Sequence, residues 1–132
     1  MTETTSFNKA YGSERRLSLD VAVWMKSDGF CWYCGRPVKL FTVNPDDRVT
    51  VDHIVSQADG GGDDFGNLAP ACKSCNSGKG RRSIEAFRWT LYRKAHGLPN
   101  FSPDQRNWLM AQGFVFEGLS DFKFWFEREG LS

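Results

Sequence analysis

Four cysteines in two Cys-x-x-Cys pairs, Cys31/Cys34 and Cys72/Cys75, constrain this 132-residue chain more than any other feature. Two pairs supply the four thiolates of one tetrahedral zinc site, so segments far apart in sequence must meet. A redox Cys-x-x-Cys needs only one pair, and disulfides are disfavoured in the cytoplasm, where this chain is expected. One structural Zn²⁺ is the reading, with four unrelated buried thiols as the alternative. The length suits one small domain with appendages.

Composition narrows the class. Hydrophobic residues make up 40% of the chain, enough for a core, yet no apolar run approaches the roughly 18 residues of a membrane span. The opening stretch, MTETTSFNKAYGSE, has no basic segment leading into an apolar one, so no signal peptide and no membrane are expected. The net charge of +1 hides an uneven distribution. Residues 40–71 carry Asp46, Asp47, Asp52, Asp59, Asp63 and Asp64 against Arg48 alone. Residues 72–98 carry Lys73, Lys79, Arg81, Arg82, Arg88, Arg93 and Lys94 against Glu85 alone. Two solvated faces would look like this, and so would a cation site beside a surface for a polyanion.

Along the chain, residues 1–15 read as a disordered arm, 16–98 as the main domain and 99–132 as an extension packed on it. SLDVAVWMKSDG predicts a helix with Ser18 as N-cap, Val21, Trp24 and Met25 at helical spacing and Gly29 as stop. RVTVDHIV predicts a short strand and NLAP its return partner, with a glycine-rich loop between them. The second cysteine pair should open a short helix. SIEAFRWTLYRKAHG predicts a longer one, with Ser83 as N-cap and Ile84, Phe87, Leu91 and Ala95 on one face. Ser102, Pro103 and Gln105 match a capping box with proline at the first helical position. The last segment, SDFKFWFEREG, fits helix and strand equally, with Phe122, Phe124, Trp125 and Phe126 covering the core.

Within this frame Asp52 and His53 stand out, because a strand that only packs would carry Val, Ile or Thr there. A buried carboxylate or imidazole costs free energy unless it finds a charge, a metal or a hydrogen-bond partner. Asp52 is an oxygen donor suited to a hard cation, and Asn76 could add its amide oxygen from the helix opposite. His53 is the residue type of a general base, since an unperturbed imidazole titrates near about 6.5. One geometric condition applies. Neighbours on a regular strand point to opposite faces, so Asp52 and His53 serve one centre only if the strand ends or twists there.

The stretches CWYC, VDHI, GGGDDFGNL and CKSCNSGKG, spanning residues 31–80, jointly resemble the HNH endonucleases in their four-cysteine zinc branch. The resemblance implies an α+β fold with a small ββα-metal, treble-clef-like core, structural zinc and flanking helices. It implies His53 as the base that activates water and Asn67 as the residue that braces the loop and orients the histidine. Asp52 and Asn76 would hold the catalytic ion. Asparagine at position 76 replaces the histidine of the family name, a variant that the family also contains. A site of carboxylate, amide and phosphate oxygens suits Mg²⁺ or Mn²⁺. Hydrolysis would leave 5′-phosphate and 3′-hydroxyl ends on DNA, expected to be double-stranded. Lys73, Lys79, Arg81, Arg82 and Arg88 would contact phosphates, which carry no sequence information directly. A homodimer or a larger nucleic-acid-processing complex fits equally, as does a phage, restriction or repair setting. The rival reading is a non-catalytic zinc-knuckle module that binds nucleic acid or protein. Singly, Asn67 could cap a turn, Asn76 could cap a helix, and His96 reads as a helix-terminal histidine.

Overall fold

The computed structural model of the chain describes residues 14–131. The expected N-terminal arm lies outside the described residues except for Glu14 and Arg15, which are helical. Helix α1 spans Glu14–Met25 and therefore already holds Ser18 in its interior, not at an N-cap. Its inward face is centred on Val23, while Met25 is 61% exposed, so the expected apolar stripe is rotated. The Trp24 indole N–H donates to the Val38 carbonyl at 2.8 Å and ties α1 to the first cysteine turn.

That turn is tight. The Cys31 N–H donates to the Arg36 carbonyl, and Gly35 adopts φ +78. A Cβ on Gly35 would lie 2.4 Å from the Trp125 ring, so close packing of the C-terminal extension requires glycine here. Strand β1, Thr50–His53, pairs antiparallel with β2, Leu68–Ala71, in the register Thr50↔Ala71 to His53↔Leu68. Helix α2, Lys73–Lys79, follows directly with Cys72 as N-cap. Two strands and a helix in this order make the ββα unit, and the fold is α+β.

Helix α3, Ile84–Ala95, starts at Ser83, whose hydroxyl accepts from the Ala86 N–H. It buries two sides rather than one, and Ala95 is exposed. Phe87 joins Cys31, Trp32, Tyr33, Val38 and Phe124 in the main core, whereas Trp89 and Tyr92 form a second cluster with Phe116. The extension supplies the partners of that second side. Helix α4, Pro103–Ala111, carries the predicted Ser102/Gln105 box, and α5, Trp125–Arg128, decides the last segment in favour of a short helix. No helix among the described residues is long and apolar enough to cross a membrane.

Candidate functional site

The β1–β2 pairing and the N-terminus of α2 bring both cysteine turns together. The four Sγ atoms of Cys31, Cys34, Cys72 and Cys75 all lie within 4.8 Å of one another, and Cys34 Sγ is 3.9 Å from Cys72 Sγ. A tetrahedral zinc ion with Zn–S near 2.3 Å sets its sulfurs about 3.8 Å apart, so the donors fit this ion in chemistry and spacing. Backbone N–H groups of Cys72 and Cys75 point at Cys31 Sγ and Cys72 Sγ, each at 3.3 Å, and stabilise thiolate charge.

His53 closes β1, and its side chain is about one quarter exposed. Its Nε2 lies 2.8 Å from Asp63 Oδ1, an oxygen that also accepts from Gln57 Nε2 at 3.3 Å. The hydrogen bond from His53 holds the Asp63 carboxyl below the usual carboxylate range, against an opposing contribution from desolvation. With Nε2–H donating to Asp63, Nδ1 carries the lone pair. Asn67 makes its contacts on the loop backbone. Its Oδ1 accepts from the Val55 N–H at 2.9 Å, and its Nδ2 donates to the carbonyls of Val55 and Gly62. It thus reaches the imidazole through the loop, while the carboxylate on the ring is Asp63. A Cβ on Gly61 would sit 1.8 Å from the Val55 carbonyl oxygen, so this closure also needs glycine.

Asp52 points the other way, as strand alternation dictates. It is 4% exposed and takes the Tyr33 hydroxyl on Oδ2 at 2.5 Å. Lys79 Nζ lies 3.3 Å from Oδ2 and 3.5 Å from Oδ1, and also donates to the His53 carbonyl at 2.9 Å. Burial raises the Asp52 pKa, opposed by Tyr33 and Lys79. Burial, and then the Asp52 charge, push the Tyr33 phenol far above its ordinary range, so it stays protonated and donates. Asn76 sits one turn earlier on α2. Its Nδ2 donates to Thr50 Oγ1 at 2.9 Å, and it lines a cleft with Asp20, Thr50 and Val51 in which Asp52 takes no part.

The pair expected to hold Mg²⁺ or Mn²⁺ is therefore not arranged as a cation site. Both Asp52 oxygens are engaged, and an ion beside them would face the Lys79 ammonium. This corrects the expectation for Asp52 and Asn76 in the arrangement observed.

The expected basic strip also divides. Lys79 is fully buried and cannot meet a phosphate. Arg88 is clasped by Glu85 and Glu127, with Nη1 2.6 Å from Glu127 Oε1, so its charge is neutralised inside the protein. Those ion pairs raise its pKa further. Lys73 is exposed and 3.6 Å from Asp46. Arg81 and Arg82 are exposed just beyond α2. Sequence reasoning passed over Tyr33 and Asp63. The first was hidden inside the cysteine turn as an ordinary core aromatic, and the second was one of three aspartates in the loop between β1 and β2.

The family model of the HNH endonucleases matches residues 31–82, a segment holding both cysteine pairs, the hairpin and α2. No curated protein matches the chain.

Proposed function

We propose, from the match of residues 31–82 to the HNH endonuclease family model, that the chain hydrolyses phosphodiester bonds in double-stranded DNA, leaving 5′-phosphate and 3′-hydroxyl ends. The observation that carries the reading is His53 at the end of β1, one quarter exposed to solvent and held through Nε2 by Asp63. In this role His53 Nδ1 takes the proton from an attacking water, Asp63 fixes the tautomer and ring angle, and Asn67 keeps the loop closed over both. Arg81 and Arg82, with Lys73, meet the flanking phosphates. The cysteine-held zinc keeps the hairpin on α2 and takes no part in the reaction.

A divalent ion would supply charge neutralisation at the phosphate, and the oxygen chemistry of Asp52 and Asn76 favours Mg²⁺ or Mn²⁺ for it. As they stand those two side chains do not fit the ion, because both Asp52 oxygens are engaged by Tyr33 and Lys79. That misfit favours a second reading, a zinc-stabilised module that binds DNA without cutting it.

Plasmid cleavage with Mg²⁺, Mn²⁺ or Zn²⁺ separates the two. The expected result is nicked or linear product that DNA ligase can reseal, obtained with Mg²⁺ or Mn²⁺ and reduced about a hundredfold or more in His53→Ala. Equal cleavage by parent and His53→Ala removes His53 from the mechanism, and binding without cleavage in every metal establishes the second reading.

A further inference from the structure

Asp63 holds the His53 ring, yet its own side chain is 81% exposed, so packing does not place it. The main chain on either side must. Upstream, the Gly62 carbonyl accepts from Asn67 Nδ2 at 2.8 Å. Downstream, the Phe65 carbonyl accepts from Lys26 Nζ at 3.0 Å, and the same ammonium donates to the Leu68 carbonyl at 2.6 Å. Lys26 therefore grips the chain on both sides of Asn67. A lysine at a helix end ordinarily serves the carbonyls of its own helix, whereas this one reaches 39 and 42 residues along the chain. Carbonyls of a strand alternate in direction: Asn67 turns its own to the Ile54 N–H across the hairpin, while those of Leu68 and Pro70 face outward and are met by Lys26 and the Trp32 N–H. The donor is itself anchored. Lys26 is the first residue beyond α1, with its N–H on the Val23 carbonyl, and the next residue, Ser27, bonds the Phe30 main chain through its hydroxyl. The ammonium also lies 4.7 Å from the Phe65 ring centroid and 5.2 Å from that of Trp32, a setting that favours a cation.

We propose that Lys26 is a positioning residue for the His53–Asp63 pair: from the end of α1 it clamps the hairpin loop on both sides of Asn67, and so holds Asp63 where the imidazole can bond it. Lys26 precedes the segment that the family model matches, residues 31–82, so α1 becomes part of the support of the site. The catalytic use of the pair rests on the nuclease reading, whereas the placement of Asp63 by Lys26 does not.

The first test reads the pair without cleavage. NMR of the zinc-loaded parent at neutral pH should show a nuclear Overhauser effect between the His53 ring protons beside Nε2 and the β-protons of Asp63. Lys26→Met keeps an unbranched apolar stem against the aromatic rings but removes both donated bonds, and should lose most of that signal at unchanged zinc content. Arg88→Gln, which removes the Glu85 and Glu127 pairs away from the hairpin, should keep it. An unchanged signal in Lys26→Met, or an equal loss in both variants, overturns the proposal. If Lys26→Met does not fold, Lys26→Gln, which can retain one of the two bonds, is judged by the same outcomes. In plasmid cleavage Lys26→Met should lower kcat about tenfold or more with KM for DNA little changed, because a displaced base costs rate rather than affinity. Unaltered kcat likewise refutes the role. A parent that never cuts plasmid sinks the nuclease reading instead, and leaves the NMR comparison to decide on Lys26.

Discussion

Phe124→Ala tests how deeply the C-terminal extension is built into the domain that the HNH match covers. Phe124 lies outside the matched segment yet is 1% exposed. Its ring stacks on Phe87 at 5.7 Å between centroids and meets Tyr33 edge-on at 5.4 Å. The Arg88 guanidinium lies 4.7 Å above it. The main chain on either side is fixed as well. The Phe124 N–H donates to Glu127 Oε1, and the N–H groups of Trp125 and Phe126 donate to the carbonyls of Tyr33 and Trp32 inside the first cysteine turn. Truncating a fully buried phenylalanine costs about 3 to 5 kcal/mol, the sum of lost transfer free energy and the cavity left behind. The upper half of that range applies, because rings on three sides and a clamped backbone leave little room for collapse.

A domain of this kind has only about 5 to 15 kcal/mol to lose. Urea unfolding of parent and Phe124→Ala at fixed free zinc should therefore show a much lower midpoint at similar slope. Since the ring backs Tyr33, zinc should also exchange faster to a chromogenic chelator. The control is Trp108→Ala on α4, where a 64% exposed side chain should change stability by no more than about 0.5 kcal/mol. A loss below about 1 kcal/mol for Phe124→Ala refutes the reasoning and makes the extension an appendage.

Two further expectations concern the candidate site. Because the His53 bond depresses the Asp63 pKa, the interaction is present above the ordinary aspartate value and is lost as pH falls through the depressed one. A carboxyl carbon titration should place the Asp63 midpoint below about 3.9 in the parent and return it towards that value in His53→Ala; an ordinary midpoint in the parent would show that the pair does not form in solution. Replacing Arg81 and Arg82 together by glutamine should flatten the salt dependence of duplex binding by about 0.9 in log–log slope per lost contact, whereas Arg88→Gln should leave that slope unchanged and lower stability through loss of the Glu85 and Glu127 pairs.

What could be read from the sequence was whatever is encoded locally. Ser83 and the Ser102/Gln105 box begin their helices as predicted, because a cap is decided within three residues. The hairpin and the cysteine cluster were also legible, since a four-thiolate zinc site dictates which segments meet. Ser18 misled because residues ahead of it extend α1, and nothing local marks a serine as interior rather than capping. The second buried side of α3 escaped because Trp89 and Tyr92 gain their partners from Phe116 and neighbouring residues of the extension.

The same distinction explains why the basic segment was misjudged. By composition Lys79 and Arg88 resemble Arg81 and Arg82, and all four follow the second cysteine pair. What separates them is a carboxylate from elsewhere in the chain: Asp52 on β1 for Lys79, and Glu127 on α5 for Arg88. Burial of an ammonium is tolerable only with such a partner, so the tertiary pairing decides which charges remain for a ligand. Strand alternation then divides β1 between two tasks. Asp52 turns inward to Tyr33 and Lys79, joining the zinc turn to the end of α2, while His53 turns outward to Asp63 and the braced loop. The sequence neighbours Asp52 and His53 thus sit in separate environments, with the Lys79 ammonium bonded to the carboxylate of one and the main-chain carbonyl of the other.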